Sequence, residues 1–303
     1  MKKTLVAVAA LVATGAFAQV TISGLVDAAI TVDGTTTSIG NGPNGGSEFT
    51  LSAKEDLGNG LSAIGAITLI APAMGASIGT VAGVLPNENG VNTYNSFVGL
   101  SGGFGSVKLG SNWSPTFLAS TISDATGRWG SSNLSNPGQL QNASSVTYTS
   151  PSMSGVTFMY QQQLGYDAAA DGFAFLNTGV EASAYSLTYS ADALTAAYAS
   201  STDAGVNTGL FAISYDFGMA KLHYGNRNVD GDTSNTLGVA VPFGALTLSA
   251  VFSSNADDTI TNYQATYALS KRTMIYANSG PAVDAATQAV GANTTIIGVK
   301  HAF

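Results

Sequence analysis

The strongest constraint on this chain is a two-residue period broken by turns. In "LFAISYDFGMAKLHYG" (210–225), Phe211, Ile213, Tyr215 and Phe217 alternate with smaller or polar residues, a turn falls at Gly218-Met219, and Leu222 and Tyr224 resume the pattern. "TLGVAVPFGALTLSAVF" (236–252) repeats it with Leu237, Val239 and Val241, a turn, then Leu246, Leu248, Ala250 and Phe252. "QVTISGLVDAAI", "SLTYSADALTAAYAS" and "NYQATYALSKRTMIYAN" read the same way. Period two puts one residue type on each face of a strand, so these segments have one apolar and one polar face. Two architectures satisfy that. A soluble sandwich turns the apolar face inward; a membrane barrel turns it outward to lipid and lines a lumen with the small polar residues.

Three features select the barrel. The segments run to about ten residues, as a tilted membrane strand requires. Tight turns alternate with longer polar connections. Aromatics (Tyr148, Tyr160, Tyr189, Tyr198, Tyr215, Tyr224, Tyr267 and Tyr276) crowd the strand ends, where an interfacial girdle places them. A sandwich core would have to find a partner for every phenol. The fold class is therefore all-β, a transmembrane antiparallel barrel of about sixteen strands. They are expected near 19–32, 47–56, 60–70, 92–101, 105–113, 144–150, 155–164, 179–190, 193–201, 208–217, 219–227, 235–242, 245–254, 259–269, 272–278 and 294–303. An even count returns both ends to one rim, so the final strand can close on the first and leave no edge in lipid.

A spanning helix is a poor alternative. The uncharged run 62–86 is long enough, but Pro72 interrupts it and Gly65, Gly75, Gly79 and Gly83 are scattered through it. Residues 1–18 read as a secretory leader: Lys2 and Lys3, a short apolar run, and Ala16-Phe17-Ala18 with cleavage after Ala18. Residues 19–303 are then the barrel domain. The chain has no cysteine, so no disulfide or thiolate chemistry is open to it. Only 9% of residues are charged and the net charge is −8. That balance argues against a nucleic-acid partner.

Catalytic signals are absent. His223 and His301 are the only histidines and stand in no metal-ligand spacing. "GNGPNGG" (40–46) lacks the lysine and the strand-to-helix setting of a phosphate loop. "DGDTSN" (230–235) begins like a calcium loop, but Val241 stands where the twelfth-position glutamate belongs. No cofactor, metal or enzyme activity is expected. The chemistry of a pore is instead lumen charge, which a low-dielectric wall focuses. Parity turns Asp27, Glu48, Lys54, Lys108, Lys221, His223, Arg227 and Lys300 inward. Asp124 and Arg128 join them from the long connection at 114–143.

The chain resembles the general diffusion porins of Gram-negative bacteria. The matching stretches are "SGLVDAAI" (23–30), "KEDLGNGL" (54–61), "NSFVGLSGGFGSVKLG" (95–110), "SSVTYTSP" (144–151), "YALSKRT" (267–273) and "IGVKHAF" (297–303). The resemblance implies a homotrimer of sixteen-stranded barrels in outer-membrane lipid and lipopolysaccharide, with short periplasmic turns and long extracellular loops. It implies that the third loop folds into the pore, and that the assembly machinery reads the terminal Phe303. It also implies that the apolar 71–86 loop contacts a neighbouring subunit or is a plain solvent-exposed loop. Relatives often carry arginines on the wall facing the constriction; the matching positions here are Glu48, Tyr94, Ser111 and Thr147. The expected function is passive diffusion of ions and small hydrophilic solutes, weakly selective and leaning toward cations. The competing reading is a plugged, adhesive barrel that binds a partner through its loops.

Overall fold

The computed structural model of the protein describes residues 19–34, 36–43, 47–70, 93–127, 141–164, 182–283 and 289–303. The leader with Ala18, the apolar 71–86 stretch and Arg128 lie outside the described residues. The strands are β1 (Gln19–Asp33), β2 (Thr36–Asn41), β3 (Glu48–Gly58), β4 (Leu61–Ile70), β5 (Thr93–Gly102), β6 (Gly105–Trp113), β7 (Gln141–Thr149), β8 (Val156–Gln163) and β9 (Ala182–Ala191). They continue as β10 (Leu194–Asp203), β11 (Val206–Asp216), β12 (Lys221–Val229), β13 (Asp232–Phe243), β14 (Leu246–Ser254), β15 (Thr259–Ala268), β16 (Thr273–Val283) and β17 (Val290–Ala302). All lie in one antiparallel sheet that closes on itself through β1 and β17.

The closed barrel has sixteen staves, because β2 and β3 together make one. β2 pairs with the upper part of β1, from Asp33↔Thr36 to Ala28↔Asn41. β3 pairs with the lower part, from Leu25↔Glu48 to Gln19↔Lys54. Between them the chain leaves the ladder opposite Val26 and Asp27. The freed backbone of Asp27 is satisfied locally: its N–H donates to Ser47 Oγ at 3.0 Å, and its carbonyl accepts from Gly42 N at 2.9 Å. The "GNGPNGG" stretch is thus in part the end of β2, with 44–46 outside the described residues.

The side chains face as a membrane barrel requires. Leu237 is 52% exposed while its neighbour Thr236 is 1% exposed. Phe211 and Leu248 lie on the outside; Ala212 and Ser249 are buried within. Lipid rewards apolar area outside, and the backbone polar groups are consumed in the closed ladder.

Tyr276 departs from the expected pattern. It was expected in the outer girdle but is 3% exposed and faces inward, because β16 registers Ile275, not Tyr276, against outward-facing Val299. The opposite rim departs too. The connections β10–β11 and β12–β13 are two-residue turns, Ala204-Gly205 and Asp230-Gly231, with all four residues at positive φ. Such turns match the strand twist and hold a hairpin closed. The stretch that began like a calcium loop is therefore a hairpin turn, and Asp230 Oδ1 accepts from the N–H of Asn207 at 2.9 Å. Among the described rim segments, β14–β15 is also short, so the long connections on this rim belong chiefly to the first half of the chain.

Closure uses the last residue. Phe303 N donates to Gly24 O at 3.0 Å, and Gly24 N donates to Phe303 O at 3.3 Å. The Phe303 ring lies over Gly24: a Cβ there would stand 2.6 Å from Phe303 Cζ and 2.5 Å from Glu48 O. Gly24→Val should displace the ring and fray the seam. Overpacking of this kind costs about 1–3 kcal/mol, so the urea midpoint of the refolded barrel should fall. A midpoint equal to wild type would show that the ring does not rest on that glycine.

Candidate functional site

The segment that follows β6 packs against the buried faces of β10 and β11. Ser114-Pro115 is a helix-start signal: a hydroxyl cap followed by a proline already set to helical φ. Helix α1 spans Pro115–Ser120, and a 3-10 turn follows at Thr121–Ser123. Ser114 Oγ accepts from Phe117 N at 3.1 Å. At the other end hydroxyls cover the carbonyls that a helix leaves open: Ser120 Oγ donates to Phe117 O at 2.7 Å and Ser123 Oγ to Ser120 O at 2.8 Å. These local bonds let a very short helix be buried without orphaned backbone groups.

The inner wall is shaped to receive it. Ala119 packs against Ala197, Ala199, Leu210 and Ala212 of β10 and β11, with Ile122 beside them. Alanines on the wall leave the room that larger side chains would fill. Farther along, Ala125 lies against Gly238 of β13; a Cβ on that glycine would come within 2.8 Å of Ala125 Cβ. His223 Nδ1 is 2.7 Å from Ile122 O. A carbonyl can only accept, so Nδ1–H is the donor and this tautomer is set by the contact. At the root of the segment, Gln161 Nε2 reaches Asn112 O and Trp113 O at 3.4 Å each and donates to Thr147 Oγ1 at 3.0 Å. The rings of Trp113 and Phe117 stack at 5.0 Å.

A cavity of about 420 Å³ remains between this segment and the opposite wall. Glu48, Thr68 and Asn95 line it from β3, β4 and β5. Trp113 lines it from the end of β6, and Phe117, Leu118, Thr121, Asp124 and Gly127 line it from the inner segment. Among the described residues, two carboxylates contribute to the lining and no Lys, Arg or His does. Asp124 is fixed by Thr126, whose N–H and Oγ1 both donate to Oδ1 at 2.8 and 2.7 Å.

The expected site residues sort by depth and distance from that cavity. Glu48 and Asp124 line it. Asp27 faces inward but is closed off from solvent at 0% exposure, with Tyr276 OH donating to Oδ1 at 2.6 Å. Expected on the lumen wall, Asp27 instead forms part of the packing behind it. Lys300 stands opposite Asp27 in the register, within electrostatic reach of both Asp27 and Glu48. His223, also expected on the lumen wall, is buried and tethers the inner segment. Lys108 holds its Nζ 4.4 Å from the Phe97 ring centroid, a cation–π distance. Arg227 is half-buried between Leu210 and Ser234 in the register, and its Nε has no hydrogen-bond partner among the described residues. Lys221 opposes Asp216 and Ala240. Lys54 is exposed near the rim that carries the chain ends, opposite Gln19.

Sequence reasoning missed Thr68, Asn95, Trp113, Phe117, Leu118 and Thr121 as lining residues. For Phe117, Leu118 and Thr121 the signal was available, because Ser114-Pro115 marks a helix start within the long connection. For Thr68 and Asn95 no local signal exists; only closure of the barrel brings them opposite that helix.

The sequence from 4 to 280 matches a family model described as Gram-negative porin. No curated protein matches the chain. Solved structures share the fold. The anion-selective porin from Comamonas acidovorans superposes with a TM-score of 0.70 at 20% identity, over 95% of this chain and 100% of that one. OmpF of Salmonella typhi, solved in complex with daunomycin, gives 0.70 at 13% identity over 94% and 98%. The trimer form of OmpT from Vibrio cholerae gives 0.64 at 13% identity over 94% and 99%. At these identities the likeness establishes the fold alone.

Proposed function

This chain belongs to the Gram-negative porin family, and on that premise we propose that it is a homotrimeric outer-membrane channel for ions and small hydrophilic solutes, with a lean toward cations. Diffusion through it is passive: a sixteen-stranded barrel encloses an aqueous path, and porins are not ordinarily enzymes. The export leader at 1–18, cleaved after Ala18, belongs to the same reading. So do contact with lipopolysaccharide and recognition of Phe303 during assembly.

The single observation that carries the selectivity is the acid lining of the constriction. Glu48 stands where relatives often carry arginine, and Asp124 shares its cavity with no basic side chain among the described lining residues. A constriction about as wide as the ~8 Å screening length lets such charges act on a passing ion. The anion selectivity of the Comamonas acidovorans porin is a property of that protein.

The distribution of aromatics supports the trimer. Exposed tyrosines and phenylalanines gather on β8–β15, among them Tyr160, Tyr185, Tyr198, Phe211, Tyr224 and Tyr263. Across the seam, the outer faces of β17, β1, β3, β4 and β5 offer aliphatic side chains instead: Ile297, Val299, Ile22, Leu51, Ile67 and Val98. An arc without exposed phenols among the described side chains suits a neighbouring subunit better than a membrane boundary.

The test is a planar bilayer with a salt gradient. Purified protein should insert in steps that group in threes, with a reversal potential of the cation-selective sign. Glu48→Arg reverses one charge; at ~8 Å in water that changes an ion's energy by about 1 kcal/mol, or roughly fivefold in the permeability ratio. Anion preference in the wild-type protein would refute the lean. Silence would favour a plugged barrel.

A further inference from the structure

We propose that the outer face of β10–β13, at the end away from the chain termini, binds a glycolipid through the hydroxyls of an uncharged sugar headgroup. The proposal rests on the membrane-barrel reading above and names a lipid class for one stretch of its wall. It starts where alternation stops supplying apolar side chains outside. Phe211 faces lipid, but its cross-strand partner is Asn226, which pairs in turn with Asn235. One step nearer the rim, Asn228 stands opposite Thr233, and on the neighbouring hairpin Thr202 stands opposite Asn207. Cross-strand partners share a face of the sheet, and so do residues an even number apart on one strand. All six therefore point outward with Phe211 and Tyr198. Hydrocarbon offers such groups nothing to bond.

The six side chains tie one another in place. Asn235 Oδ1 accepts from Asn226 Nδ2 at 2.9 Å and from Tyr224 OH at 3.0 Å. Thr233 Oγ1 accepts from Asn228 Nδ2 at 3.0 Å, and Asn207 Oδ1 accepts from Thr202 Oγ1 at 2.9 Å. Both kinds of group are left over. Among the described residues, the side-chain nitrogens of Asn207 and Asn235 meet no acceptor, and Asn226 Oδ1 meets no donor. A sugar hydroxyl both donates and accepts, so it complements each of them. A phosphate only accepts, and it finds no cation here. The basic residues of these strands, Lys221, His223 and Arg227, have the opposite parity to Asn226 and Asn228, and Asp230 and Asp232 stand at the adjoining turn. The turns of both hairpins are two residues long, so neither overhangs the face. Four strands about 4.8 Å apart make that face roughly 14 Å wide, room for a disaccharide. Toward mid-membrane, Tyr198, Phe211 and Leu237 supply an apolar bed for acyl chains.

The experiment titrates the refolded protein, held in a polyoxyethylene detergent, with digalactosyldiacylglycerol, phosphatidylglycerol or phosphatidylcholine and counts bound lipid by native mass spectrometry. The galactolipid should bind about tenfold more tightly than either phospholipid, the scale of two neutral hydrogen bonds. Its binding should be the same in calcium as in EDTA. Asn226→Leu combined with Asn235→Leu presents apolar side chains to lipid and should remove the preference from a barrel that still shows heat-modifiable mobility. Tighter binding of phosphatidylglycerol, a requirement for calcium, equal binding of all three lipids, or a preference that survives the double variant would overturn the site while leaving the channel intact. If the double variant fails to assemble, the ranking of the three lipids on wild type decides alone. A wild-type preparation with neither heat-modifiable mobility nor bilayer current would instead defeat the barrel reading and the site with it.

Discussion

Gly298→Val is expected to abolish the folded, heat-modifiable form of the barrel. Gly298 pairs with Tyr276 across the sheet, and the Tyr276 ring occupies the space a side chain at 298 would need. That ring cannot simply move. Its hydroxyl donates to Asp27 Oδ1 at 2.6 Å, and Gly42 packs on the same pair of groups from the break between β2 and β3. A valine therefore forces one of two outcomes. Tyr276 swings away, and a fully buried carboxylate loses a donor. Alternatively β17 backs off from β1, since the new Cβ would also stand 2.9 Å from Ala28 O, and the closing seam opens. Overpacking at about 1–3 kcal/mol and a lost bond to a charged group at about 1.5–3 kcal/mol give, where Tyr276 is displaced, about 2.5–6 kcal/mol. Tyr276→Phe keeps the ring and removes only the bond, so it should fold with a lowered urea midpoint. The check is electrophoretic mobility before and after heating, with urea titration. A Gly298→Val protein that folds with the wild-type midpoint would refute this account of the seam.

The second large effect should come from Ala199→Trp. Ala199 is completely buried against the inner segment, in the same cluster as Ala119 and Ala212. An indole pointing inward there claims the volume of α1. Two structures compete for it. The wall strand β10 is bonded along its whole length to β9 and β11. Helix α1 has six residues and no stability of its own. The helix yields, and Asp124 leaves the cavity with it. The barrel should still assemble, but the reversal potential should move toward zero. Ala199→Ser, nearly the same size, should behave as wild type. A cation preference unchanged in Ala199→Trp would mean that the segment does not set the constriction.

Much of the architecture was legible along the chain because its causes are local. β6 was expected at 105–113 and is Gly105–Trp113. The outward Leu237 and Leu248 and the inward Ser249 follow from alternation alone. Where register matters, the local signal misled: Tyr276 looks like a girdle residue until β17 fixes which face of β16 is outside.

The constriction was legible only in pieces. Glu48 and Asp124 were visible as inward or loop carboxylates, but nothing near either residue says that they share a cavity. Asp27 read as a lumen charge, but it is closed off from water, with Tyr276, 249 residues away, donating to its carboxylate. His223 read the same way, but it hydrogen-bonds the carbonyl of Ile122, 101 residues away.

By itself, then, the order of residues determined that strands form, where most of them turn, which face meets lipid and that the ends meet. Alternation and turn chemistry act over two to four neighbours, and a sheet in lipid must close. The tertiary structure alone decided which charges face one another across the interior. That depends on accumulated register around sixteen staves and on where one short helix comes to rest, and no window of adjacent residues encodes either.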